Sequence, residues 1–184
     1  MRETATIDPG LAPSRKERVA LPKSHGKSYP AIEIWRFGEK DARPKAYIQT
    51  GLHADELPGM LVLRKMAEAL EALHQRGAIK GEVVLVPFAN PIGLSQIEGG
   101  YLMGRVERAT NRNFNRGYPD LCTLVKNKIA EKLGDDEAEN LKIIRKAMRK
   151  AVAKIEPEDA FGVMQKTLTY EACDADIVLD EHAD

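Results

Sequence analysis

The sequence has little of what secreted or membrane-embedded proteins are built from. Only two cysteines, Cys122 and Cys173, occur in 184 residues, and neither belongs to a CxxC pattern. A disulfide framework or a cysteine-rich zinc finger therefore finds no support, and buried free thiols are expected. No segment approaches the ~18 consecutive apolar residues of a membrane span, and residues 1–30 mix charge with Pro and Gly instead of offering the apolar core of a signal peptide. A cytoplasmic protein without a membrane partner is expected. Net charge is also missing: 28 basic residues balance 28 acidic ones, so no global field recruits nucleic acid. Repeats, low-complexity tracts and heptad runs are absent as well. What remains is an ordinary globular composition, 43% hydrophobic and 30% charged, with room for one domain and a sizeable core.

Along the chain, residues 1–29 carry "DPG", "APS" and "SHGKSYP" without periodicity and read as an irregular arm, leaving 30–184 as the domain. "AIEIWRF" (31–37) and "KAYIQT" (45–50) alternate like strands, and they are expected to be neighbours. Over 57–76 the apolar residues Leu57, Met60, Leu61, Leu63, Met66, Ala67, Leu70 and Leu73 form a helical stripe that Gly77 is placed to stop. "EVVLVPF" (82–88) is an apolar run of the kind found in strands covered on both faces. Strand, helix and strand imply a parallel pair with a right-handed crossover. Helices are expected over 121–133, 136–155 and 157–171, with 142–154 as a solvated charged face, and Ile177, Val178 and Leu179 read as a last buried strand. The fold class is α/β, a mixed and mainly parallel sheet flanked by helices.

Ligands of open α/β sheets sit beyond the carboxyl ends of the strands. Two strands here end in suitable chemistry: "TGLHADELPG" delivers His53 and Glu56, and "DIVLDEHAD" delivers Asp180 and His182. Two imidazoles and a carboxylate suit zinc at a site that keeps a fourth position open. The alternative is a polar turn in which Asp55 caps the following helix, Glu56 faces the helix dipole and Pro58 sits in the first turn. His25, in the arm, and His74, at a helix end, read as exposed bystanders. The long stretch 89–119 sets Arg105, Arg108, Arg112 and Arg116 beside Asn111, Asn113 and Asn115 with few acidic partners. Such donors fit a substrate carboxylate, although a phosphate or nucleic-acid patch or a solvated loop has the same composition. Against RNA, Phe114 and Tyr118 are not interleaved as in a single-strand-binding motif.

"GLHADELPG", "VPFANPIGLSQ", "GRVERATNRNFNRGYPDL" and "DADIVLDEHAD", in that order, resemble the succinylglutamate desuccinylase and aspartoacylase family of the zinc carboxypeptidase fold. The resemblance implies one zinc ion and hydrolysis of an acyl amide or ester in a small substrate that bears a carboxylate. It assigns His53, Glu56 and His182 as zinc ligands, a set also used by carboxypeptidase A. It assigns Asn115 and Arg116 to the substrate carboxylate, and Arg105, ahead of its rival Arg108, to polarising the scissile carbonyl.

The chain departs from the family pattern around His182, where Glu181 stands in place of an apolar residue. Family members also continue well past this histidine and supply a general-base glutamate, for which only Glu181 or Asp184 stands nearby. The chain is accordingly expected to hold the N-terminal portion of the catalytic domain. The alternatives are a catalytically silent fragment that binds zinc or assembles with another chain, through an apolar sheet edge ending at Leu179 that would favour a homo-oligomer, and a metal-free binding module for anions.

Overall fold

The computed structural model describes residues 15–183, so residues 1–14 of the expected arm and Asp184 lie outside the described residues. The elements run β1 (Arg15–Val19), β2 (Ile32–Gly38), β3 (Lys45–Thr50), α1 (Pro58–Gln75), β4 (Glu82–Val86), α2 (Pro91–Leu94), β5 (Ile97–Glu98), β6 (Tyr101–Leu102), β7 (Val106–Glu107), β8 (Arg112–Asn113), α3 (Leu121–Ile129), α4 (Glu137–Ala153), α5 (Ala160–Ala172) and β9 (Ile177–Glu181). The main sheet has the order β1-β2-β4-β3-β9. Its β1 side is antiparallel, and its β9 side is parallel. No described helix is long and apolar enough to cross a membrane.

The period of two in the strands divides the apolar residues between two helical layers. Ile32, Ile34, Tyr47, Val84 and Val86 face α5, where Phe161, Met164 and Leu168 complete one core. Phe37, Ile48 and Leu85 face α1 and pack on Leu63 and Ala67. Each large side chain so buried contributes roughly 1.5–3 kcal/mol relative to exposure. Among the eight apolar positions of the α1 stripe, Met60, Leu63 and Ala67 carry the burial, while Leu57, Leu61 and Leu73 are exposed.

Several expectations are corrected. The arm is not irregular throughout, because residues 15–19 form β1. That strand lacks apolar alternation and is held by cross-strand ion pairs, Lys16 with Glu33 at 2.7 Å and Glu17 with Arg36 at 3.0 Å. β2 and β3 are not neighbours, since β4 and β9 occupy the two edges of β3 and β2 pairs with the far edge of β4. β9 is not buried: as an edge strand it leaves Ile177, Val178 and Leu179 about half exposed, at 52%, 51% and 46%. Cys122 is exposed rather than buried, and Cys173 is intermediate. His74 is no bystander, for its Nδ1 accepts the Gly38 amide at 3.0 Å.

Charged residues start the strands as well as ending them. Lys45 is 2% exposed and lies 3.2 Å from both Glu82 and Asp174, and Arg43 meets Asp174 at 2.7 Å. Burial pushes the Asp174 carboxyl up, but Lys45 and Arg43 outweigh it and hold it below the usual aspartate range. A carboxyl depressed in the fold contributes stability above its unfolded pKa, and that contribution is lost as pH falls through the folded value. Asp174→Asn should therefore destabilise the protein by about 1–3 kcal/mol at neutral pH. The gap to wild type should close in acid, as seen by urea unfolding at both pH values. A gap independent of pH would mean that packing, not charge, carries the effect.

Candidate metal centre

The end of β3 places the first half of the site. Gly51, at φ +69°, turns the chain out of the strand in a backbone conformation that favours glycine, beside the Met60 side chain of α1. His53 and Glu56 follow, 9% and 6% exposed. Asn90, fully buried after β4, braces this turn: its side chain donates to Leu52 O at 2.8 Å and accepts the Gly93 amide at 2.7 Å. β9, parallel to β3, ends beside the turn and delivers His182.

Both imidazoles present Nδ1 to one carboxylate. His53 Nδ1 is 3.1 Å from Glu56 Oε1, and His182 Nδ1 is 2.7 Å from Glu56 Oε2. The Ala183 amide donates to Glu56 Oε2 at 3.0 Å. Ligand-type atoms of these three residues lie within 4.8 Å of one another. The outward nitrogens have partners too: His53 Nε2 is 3.2 Å from Asn113 Oδ1, and His182 Nε2 is 3.3 Å from Asp180 Oδ2. With a metal bound, these acceptors would hold the proton on Nε2 and leave Nδ1 as the ligand atom, the arrangement usual for metal-bound histidine. Burial raises the Glu56 carboxyl, but the Ala183 amide and both histidines outweigh it and hold it below its ordinary value. His182 is lowered by burial, yet Asp180 and Glu56 raise it on balance. Two nitrogens and a carboxylate of this kind fit a zinc ion.

The capping reading of the turn does not hold. The α1 N-cap is Leu57, without a side-chain cap, and Asp55 instead faces Arg105 at 3.4 Å. Arg105 also reaches Glu56 Oε1 at 2.9 Å. Its approach depends on Gly104, whose added Cβ would sit 2.1 Å from the Asp55 nitrogen, while Gly104 O accepts the Ala54 amide at 3.0 Å. Arg108 points away and pairs with Glu98 at 2.7 Å.

The loop arginines are better supplied with carboxylates than the composition of 89–119 suggests. Arg112 bridges Glu107 and Asp159 and lies 4.1 Å over the Phe161 ring. Arg116 alone of the four has no carboxylate partner among the described residues, and its guanidinium donates to Asn115 O at 2.7 Å. Asn115 Nδ2 is 3.5 Å from His182 Nε2, which sets it at the edge of the cluster. His25 is exposed, but with Glu107 and Asp159 it forms a second group of potential ligands, and there Arg112 already balances the carboxylates.

A groove of about 380 Å³ adjoins the cluster through Asn115 and Asp180 and continues past Tyr47, Tyr118, Leu168 and Val178. Tyr118 Oη is buried there without a partner, and burial together with Asp180 raises its pKa. The outer roles of Asn113 and Asp180, and the bracing role of Asn90, were not among the expected site assignments. The only sequence signals for them are an asparagine in the "NRNFN" run, an aspartate two residues before His182 and an "NP" after a strand.

Comparison with known proteins identifies the family and the fold. Residues 42–153 match the model of the succinylglutamate desuccinylase/aspartoacylase catalytic domain. That segment includes His53, Glu56, Arg105, Asn115 and Arg116 and stops short of His182. The chain is 29% identical over 124 residues to Metallocarboxypeptidase A of Trichophyton rubrum, covering 60% of this chain and 29% of that one. It superposes on a candidate succinylglutamate desuccinylase/aspartoacylase from Shewanella frigidimarina NCIMB 400 with a TM-score of 0.78 at 25% identity, over 95% of this chain and 47% of that one. A family protein from Shewanella amazonensis SB2B gives 0.74 at 26% identity, over 92% and 46%. The chain thus spans less than a third of the curated relative and about half of each solved neighbour.

Proposed function

Since the chain belongs to the succinylglutamate desuccinylase/aspartoacylase catalytic domain family, we propose that it forms the metal-binding part of a zinc-dependent hydrolase. The bond cleaved is an acyl amide or ester in a small substrate that bears a carboxylate. The observation that carries this reading is the convergence of His53, Glu56 and His182 from two strand ends within 4.8 Å.

In this reading His53, Glu56 and His182 hold the zinc, which when bound supplies Lewis acidity toward a carbonyl and toward water. Arg105, half exposed beside Glu56, presents its remaining N–H donors to the carbonyl oxygen and stabilises the charge that develops on it. Arg116 and Asn115 orient the substrate through its carboxylate, because a planar guanidinium matches two carboxylate oxygens. The groove past Tyr118 accommodates the rest of the substrate. Asn113 and Asp180 position the imidazoles through their outward nitrogens.

The test is hydrolysis of N-acyl amino acids by zinc-loaded protein, with and without chelator. Arg116→Ala should raise KM roughly 10–100-fold, the worth of a lost hydrogen bond to a charged group, while zinc content stays unchanged. An unchanged KM would remove Arg116 from the substrate site. Folded, zinc-loaded protein without turnover would favour the second reading, a silent zinc-holding fragment that assembles with another chain. The half-exposed apolar edge of β9 supports that reading.

A further inference from the structure

A second concave site lies at the opposite end of the sheet from His53 and His182. It is a cavity of about 390 Å³ lined by Arg43, Lys142, Arg145, Lys146, Arg149 and Asp174. Four of the cations stand on α4 at positions i, i+3, i+4 and i+7, which places them on one face of that helix. Arg43 comes from the turn between β2 and β3 and closes the other side. The charged run 142–154 is therefore more than a solvated face.

The wall carries five positive side chains against one carboxylate. Asp174 already serves Arg43 at 2.7 Å, and both Lys45 and Arg149 at 3.2 Å. Asp176, at the start of β9, takes Arg145 at 2.7 Å and Arg43 at 3.1 Å. Lys142 has only Glu139, at 3.1 Å on the exposed surface of its own helix, where such a pair is worth little. Lys146 has no carboxylate partner among the described residues. Counting Asp176 and Glu139 with Asp174 gives three negative charges against the five, so positive charge is left over inside a concavity. Donors are left over as well: Arg145 makes its contacts through Nη2 alone, which leaves Nε and Nη1 for a ligand.

We propose that this cavity binds a small, multiply charged anion of the diphosphate class. The free Nε and Nη1 edge of Arg145 and two ammonium point charges meet phosphoryl oxygens on several sides, which one carboxylate would not satisfy. The wall offers no aromatic or aliphatic side chain for a nucleobase. The recognised part is thus the diphosphate itself, whether free or carried by a nucleotide.

The experiment is calorimetric titration of the full chain with inorganic pyrophosphate near physiological ionic strength, with ADP as a second arm. Wild type should bind, and binding should weaken as salt is raised. Lys142→Glu/Lys146→Glu should raise the Kd about tenfold or more with an unchanged melting temperature, because both side chains are exposed and outside the core. Arg116→Ala, at the other end of the sheet, should bind as wild type does. ADP binding no tighter than pyrophosphate would identify the free anion as ligand, and tighter binding would identify a nucleotide-borne diphosphate at the same site. The proposal is overturned if pyrophosphate does not bind wild type, if the double charge reversal binds as well as wild type, or if Arg116→Ala abolishes binding. In the last two cases the anion sits elsewhere, at the metal cluster or the loop.

Discussion

His53→Ala should leave a folded protein that no longer retains zinc. The imidazole supplies one of three converging ligand groups, so its removal should weaken metal binding by more than the roughly 10–100-fold that loss of an outer hydrogen-bond partner costs. Folding should survive, because Glu56 keeps His182 at 2.7 Å, the Ala183 amide at 3.0 Å and Arg105 at 2.9 Å, and is not left buried without partners. The check is zinc per chain by elemental analysis after dialysis against metal-free buffer, beside a melting curve. Wild type should hold one zinc and the variant essentially none, with zinc raising the melting temperature of wild type alone. Stoichiometric zinc in His53→Ala would remove this residue from the ligand set and the proposed hydrolase with it.

The early part of that ligand set is legible in the sequence because it is local. His53 and Glu56 are three residues apart on one turn, and the glycines around them mark a sharp exit from a strand. The parallel β3-α1-β4 unit is legible for a similar reason, since a period of two gives way to a helical stripe and then to an apolar run. The strand order is not legible in this way. It depends on which strand takes the free edge of β4, and that choice rests on charged residues such as Arg36 and Glu82, 6% and 1% exposed, that hydropathy would place in water. β1 escapes notice because its cross-strand partners are ionic. β9 misleads in the opposite direction: an apolar triplet reads as buried, yet an edge position leaves it half exposed.

Within the site, the choice between Arg105 and Arg108 also lies beyond spacing. It is decided by the contact of Gly104 with the Ala54–Asp55 backbone, which turns one arginine toward Glu56 and leaves the other to Glu98. The same contact holds Arg105 beside Glu56 by a backbone fit that tolerates no side chain at position 104. Asn113 and Asp180 are hidden for a related reason. An outer hydrogen bond to an imidazole is a matter of orientation across 60 residues in one case and of a strand's pleat in the other.

Arg105→Ala separates two roles that its position allows. As the group that stabilises charge on the carbonyl oxygen, its loss should lower kcat by about 10²–10³-fold with little change in KM, the usual effect of removing one such donor. As a mere counter-charge to Glu56, its loss should leave kcat alone and strengthen zinc binding, because a competing cation would have been taken from the carboxylate. Stability distinguishes neither role, since the side chain is 51% exposed and ion pairs of that kind are worth about 0–1 kcal/mol. The decisive measurements are therefore kcat, KM and zinc affinity on the same zinc-loaded preparations of wild type, Arg105→Ala and Arg105→Lys. Lysine keeps the charge but loses the fork, so a positioned donor predicts partial recovery of kcat, whereas a counter-charge predicts recovery of the wild-type zinc affinity with no effect on turnover. A fall in kcat that lysine partly reverses, at unchanged zinc affinity, is the result expected from a half-exposed arginine held 2.9 Å from Glu56.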